Sequence, residues 1–156
     1  MSETAKVRAL KMIETCTEPE KLRTLIRNAR KRGEGEIVHA AALRLYDILP
    51  SEKPGTFEHD VWRSIHALEG TLTEERGKTT RLGRTRPKIA RVGERETVRD
   101  LILADKPSEG FHMLIDRHLS HLTFEAVALR HQGRFEEHVL DAAVRRLNSV
   151  GVAASR

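Results

Sequence analysis

Apolar residues recur at intervals of three and four along almost the whole chain, as in Leu22, Leu25, Ile26 and Ala29, or Phe111, Leu114, Ile115, His118 and Leu119. That spacing lines one face of a helix, and no stretch sustains the two-residue alternation of a half-buried strand. Aromatic residues, which enrich strands, make up only 4% of the sequence. The chain therefore reads as all-α, a compact bundle of about six to eight helices. Its 156 residues fit a single all-helical domain spanning 1–156. A finer division separates an N-terminal helical hairpin, 1–50, from central and C-terminal helices over 56–151.

Caps and breakers set the expected boundaries. Thr17 and Glu20 have the spacing of a capping box with Pro19 in the first turn, so a helix is expected through "EKLRTLIRNARKR", closing at Gly33 or Gly35. "EIVHAAALRLYDIL" returns from that turn and stops before Pro50. Thr56 caps "FEHDVWRSIHALEGTLTEER", which ends at Gly77, with Gly70 and Thr71 marking a break and Trp62, Ile65, Leu68 and Leu72 on its packed face. Short helices follow near 86–92 and 95–104, and another starts at Ser108. Thr123 caps "FEAVALRHQ", with Leu122 and Val127 placed as a hydrophobic staple, and the last helix runs from about Glu136 to Asn148 and ends near Gly151. Two segments, "NARKRGEGEIVHAAALRLYDIL" and "ALRHQGRFEEHVLDAAVRRLNSV", share a helix–glycine–helix pattern. Two such units fall short of a repeat array.

No apolar run approaches the roughly 20 residues that span a bilayer, and the N-terminal stretch lacks the apolar core of a secretory signal. A cytoplasmic protein with no membrane partner is expected. Cys16 is the only cysteine, which excludes an intrachain disulfide and a cysteine-based zinc site and leaves helix-face packing as its role.

Charged residues make up 33% of the chain and the formal net charge is +5, so the placement of the positive charge matters. In "KTTRLGRTRPKIARVGERETVRDLIL", Lys78, Arg81, Arg84, Arg86, Lys88 and Arg91 are uninterrupted by acid, and Arg95 and Arg99 follow among Glu94 and Glu96. Guanidinium forks suit phosphate oxygens. Ala90 at a helix crossing, Gly93 in the turn and Thr97–Val98 early in a second helix suggest a trihelical, helix-turn-helix-like unit around residues 57–104, although Ala90 to Gly93 and Gly93 to Thr97 are each one residue short of the common spacing. Arg23, Arg27 and Arg30 form a second basic stripe at helical spacing.

These features point to a non-enzymatic nucleic-acid-binding protein, a regulator or accessory factor, with DNA favoured over RNA because few aromatics remain to stack on unpaired bases. The alternative is a helical interaction module whose basic faces meet an acidic protein. No cofactor is implied. Asp116, His118, His121, His131 and His138 match no specific zinc spacing, and His118, on an apolar stripe, reads as a core histidine. Arg32 and His39, with six residues between them, resemble the Arg–His pair of HEPN ribonucleases, whose pair sits on one helix; here Gly33 and Gly35 fall inside the segment. No other catalytic arrangement stands out.

Overall fold

The computed structural model describes residues 2–156, which form eight α-helices and two short 3₁₀ turns with no strand among them. The chain divides into two compact units, one ending at Ser51 and the other beginning at Glu52. The first contains α1 (Glu3–Thr15), α2 (Pro19–Lys31) and α3 (Gly35–Ile48). Its core is Ile13, Cys16, Leu22, Ala29, Ile37, Ala41 and Leu45, the face that the three-and-four spacing marks. Ser2 caps α1 through its side chain, and Arg44 on α3 donates to the Cys16 carbonyl at 2.8 Å, so the end of α1 is tied to α3. Cys16 is buried just past the end of α1.

The expected capping box does not form. Glu18 rather than Thr17 precedes the first turn of α2 and gives no side-chain cap; Pro19, which has no N–H to satisfy, opens the helix instead. At the other end Gly33 takes φ 70°, and the amide of Glu34 reaches back to Ala29 at 2.9 Å in a Schellman turn.

The second unit contains α4 (Phe57–Arg76), α5 (Thr85–Leu103), α6 (Glu109–Asp116), α7 (Phe124–Arg130) and α8 (Glu137–Ser149). The expected hydroxyl caps are present: Thr56, Ser108 and Thr123 accept amides of α4, α6 and α7 at 3.2, 3.2 and 3.1 Å. Phe57, Val61 and Ile65 of α4 meet Val98 and Ile102 of α5, Val127 and Ala128 of α7, and Val139, Leu140 and Ala143 of α8 in one core. Helix α4 runs unbroken through Gly70 and Thr71, with Thr71 buried in its packed face, and ends at Gly77 with φ 69°.

The unit expected around residues 57–104 differs from a helix-turn-helix. Helix α5 breaks at Gly93 alone (φ 88°, ψ 169°), without the three- or four-residue turn of that motif, and Thr97 donates its hydroxyl to the Gly93 carbonyl at 2.8 Å. Ala90 is exposed rather than set at a helix crossing, and Thr97 and Val98 point into the core. His118 also departs from expectation: it is exposed at φ 58° where α6 closes in a Schellman turn, with the Leu119 amide bonded to Leu114 at 2.8 Å. The place of His118 past the last turn of α6 takes it off the apolar face that the spacing marks.

Buried charges join the helices of this unit. The Asp60 carboxylate accepts from Arg63 at 2.7 Å, Arg130 at 3.0 Å and His131 at 2.9 Å, tying α4 to the end of α7. Glu125 is buried against Arg146, which also donates to the Leu101 carbonyl at 2.7 Å. Burial would raise the Asp60 carboxyl, but the bonds from Arg130, His131 and Arg63 outweigh it and hold it at about 2. Because the folded value lies below the unfolded one, this stabilisation is complete above about pH 4 and is lost as pH falls toward 2. Asp60→Asn is expected to flatten the difference between unfolding free energies measured in urea at pH 5 and pH 2, an acid-dependent loss on the order of 2 kcal/mol in the parent. An equally steep acid loss in the variant would place the acid-sensitive group elsewhere.

Candidate nucleic-acid interface

The basic stretch begins where α4 ends, and one stripe of α4 determines its course. Trp62, His66, Glu69 and Thr73 follow one another at helical spacing beside the buried Ile65 and Leu68. The Thr73 hydroxyl accepts the Thr80 amide at 2.9 Å, and one turn earlier Glu69 accepts the Leu82 amide, also at 2.9 Å. Glu69 then receives both arms of the Arg86 guanidinium, Nε at 2.6 Å and Nη2 at 2.8 Å. The strand of chain between α4 and α5 is thus held down at Thr80, Leu82 and Arg86. It is not a loosely solvated loop.

Arg86 also lies over the Trp62 ring, 5.1 Å from its centroid, so the tryptophan expected to be buried is only partly so, with a cation covering its face. Burial alone would raise the Glu69 carboxyl; the Arg86 and Leu82 donors outweigh it and keep it below the ordinary glutamate range. Burial also pushes the neighbouring His66 imidazole below its usual value.

The structure sorts the eight cations of residues 78–99 into two groups. Lys78, Arg81, Arg84 and Arg91 are exposed and their side chains make no hydrogen bond or ion pair among the described residues. The other four are engaged. Arg86 holds Glu69, and Lys88 bonds Asp100 at 2.7 Å across the Gly93 break, keeping that carboxyl below its ordinary range. Arg95 donates to the Arg134 carbonyl at 2.6 Å and pairs with Glu96 at 2.5 Å and Glu136 at 3.3 Å, while Arg99 reaches Glu136 at 3.3 Å and Asp100 at 3.6 Å. Arg95 and Arg99 therefore fasten α5 to the start of α8 and do not project freely for insertion into a groove.

Energetics separate the engaged residues further. Withdrawing Arg86 would leave Glu69, only 8% exposed, as a buried carboxylate without its cation, a loss on the order of 3–5 kcal/mol. No single surface phosphate contact compensates for that. The pairs to Asp100 and Glu136 involve half-exposed carboxylates and are worth about 0–1 kcal/mol each.

In the first unit, Arg23 pairs with Glu20, Arg27 donates to Thr24 at 3.2 Å, and Arg30 is exposed on the same helix with contacts of its own. Arg32 closes α2 and His39 lies in α3, so the two flank the Gly33 turn and do not share a helix. No group of three or more histidine, cysteine, aspartate or glutamate side chains able to hold a metal gathers among the described residues; His131 is bound to Asp60 and His138 is exposed.

Sequence reading missed Glu69 and Thr73. Their signal was the polar stripe 62, 66, 69 and 73 beside the apolar face of α4, immediately before a run of cations.

No family model matches the chain, and no curated protein or solved structure matches it either. Glu69 is the acceptor on which the course of the loop depends. Glu69→Ala is expected to cost about 1–3 kcal/mol, because Arg86 and the Leu82 amide lose their acceptor but reach water. Native-state hydrogen exchange is expected to speed up at Leu82 while the amides of α4 around Ile65 follow the global stability. Unchanged protection at Leu82 would show that Glu69 does not fasten the loop.

Proposed function

We propose that this protein binds nucleic acid without catalysis, duplex DNA in preference to RNA, and acts as a regulator or accessory factor through backbone phosphate contacts from Lys78, Arg81, Arg84 and Arg91. One observation supports this reading above the rest: four cations without acidic partners lie on or beside a segment fastened to α4 by Glu69 and Thr73. A held loop loses less conformational freedom on binding than a floppy one, so more of the phosphate attraction appears as affinity.

The preference for a duplex follows from the aromatic side chains. All four phenylalanines are buried and Trp62 is covered by Arg86, which leaves no ring of either type as an open platform for an unpaired base. Phosphate contacts carry no sequence information directly, so binding is expected to vary little with sequence. A specific observation favours a second reading: Val92, 41% exposed, adjoins Arg91, and an apolar side chain beside a cation suits an acidic protein surface better than a phosphate backbone.

An electrophoretic shift assay at low salt on unrelated duplexes, single-stranded DNA and RNA separates the two. The parent is expected to shift the duplexes with similar affinity and the single strands more weakly. Replacing Lys78, Arg81, Arg84 and Arg91 together by alanine is expected to weaken duplex binding by at least tenfold on every sequence with little change in melting temperature, since these positions are exposed. Parental duplex affinity in that variant would remove the nucleic-acid reading and leave the acidic protein partner.

A further inference from the structure

Beneath the fastened segment lies a cavity of about 230 Å³ that none of the exposed cations Lys78, Arg81, Arg84 and Arg91 lines. Its walls are apolar: Leu68 and Leu72 of α4, Leu82 of the basic segment, and Phe111, Met113 and Leu114 of α6. The volume lies above the roughly 150 Å³ cavity known to take a benzene ring and below the roughly 300 Å³ at which drug-sized pockets begin. It suits a small molecule with an apolar body.

The charged groups lining the cavity are distributed unevenly. Arg76 lines it at the C-terminal end of α4, is exposed, and makes no side-chain hydrogen bond or ion pair among the described residues. One acid that makes no ion pair among the described residues, Glu109, lines it at the other end. Gly110 packs so closely on Leu68 that an added Cβ would come within 2.8 Å of Leu68 Cδ2, which places the adjoining Glu109 at the Leu68 end. Leu68 and Arg76 are eight residues apart on one helix, about 12 Å at 1.5 Å per residue. Glu125, in the first turn of α7, also lines the cavity, but its charge is answered by Arg146 at 3.2 Å. The cavity is therefore cationic at one end, apolar through its length and acidic at the other.

We propose that this cavity is a binding site for a small amphipathic monocarboxylate with a short acyl or aromatic body, its carboxylate held by Arg76. The guanidinium fork supplies two parallel donors to a carboxylate, and the leucine, phenylalanine and methionine walls remove the body from water. Glu109 sets the selectivity. A second carboxylate at the far end of the ligand would face this acid, so monocarboxylates bind and dicarboxylates of the same length are rejected. The site stands whether or not the chain binds nucleic acid.

Calorimetric titration of the full chain with octanoate tests this, with octan-1-ol and octanedioate as comparators of matched length. Saturable binding of octanoate is expected, with both comparators at least tenfold weaker. Arg76→Gln, an exposed substitution that leaves the far-ultraviolet circular dichroism and melting curve unchanged, is expected to weaken octanoate about tenfold, and Arg76→Lys less. Absence of saturable octanoate binding up to its solubility would overturn the proposal, as would equal binding of octan-1-ol or parental affinity in Arg76→Gln.

Discussion

The Glu69 carboxylate carries more of this surface than any other single group. It accepts the Leu82 amide and both arms of Arg86, so one side chain on α4 sets where the basic segment runs and where α5 begins. Arg86 in turn covers Trp62, and Leu82 and Thr85 of the same stretch line the leucine-walled cavity. An apolar residue at position 69 would leave the amide and the guanidinium to water, and the segment beyond the Thr73–Thr80 bond would lose its hold on α4. Electrostatics here acts through geometry: the buried pair adds little to stability for its own sake but fixes the direction of a charged segment.

The same competition for carboxylates decides what each cation of the stretch can do. A positive charge close to an acid is already satisfied, and the cost of removing it grows with the burial of that acid. Glu69 is buried, so Arg86 is committed; Glu136 and Asp100 are half-exposed, so Arg95, Arg99 and Lys88 are held more loosely. Lys78, Arg81, Arg84 and Arg91 have no acid in reach and keep their full charge available to a polyanion. Net charge alone does not make this distinction.

Much of the fold was legible because helix ends are written in local chemistry. Thr56, Ser108 and Thr123 cap where a hydroxyl precedes an apolar helical run, and Gly33, Gly77 and Gly151 take the left-handed conformation where such runs stop. Local chemistry misled where a stronger constraint intervened. Pro19 opened α2 without the Thr17 box, and His118 shares the apolar spacing of α6 yet lies past its end in a turn that points it to solvent. The clustering of cations was visible, but the acid that would claim each one was not. Glu69 is 17 residues from Arg86, and Glu136 is 41 from Arg95; pairing over such distances follows from tertiary packing rather than from spacing.

Arg81 and Arg86 lie in one short basic run, and sequence alone treats them as equals. The most direct test compares their contributions to the salt dependence of duplex binding, because the slope of log affinity against log salt counts phosphate contacts independently of loop order. Arg81→Ala is expected to reduce the magnitude of that slope by roughly 0.9, the value of one phosphate contact, and Arg86→Ala to leave the slope unchanged while lowering the melting temperature. Equal reductions for the two variants, or no reduction for Arg81→Ala, would contradict the account that a carboxylate partner decides which of these cations meets phosphate.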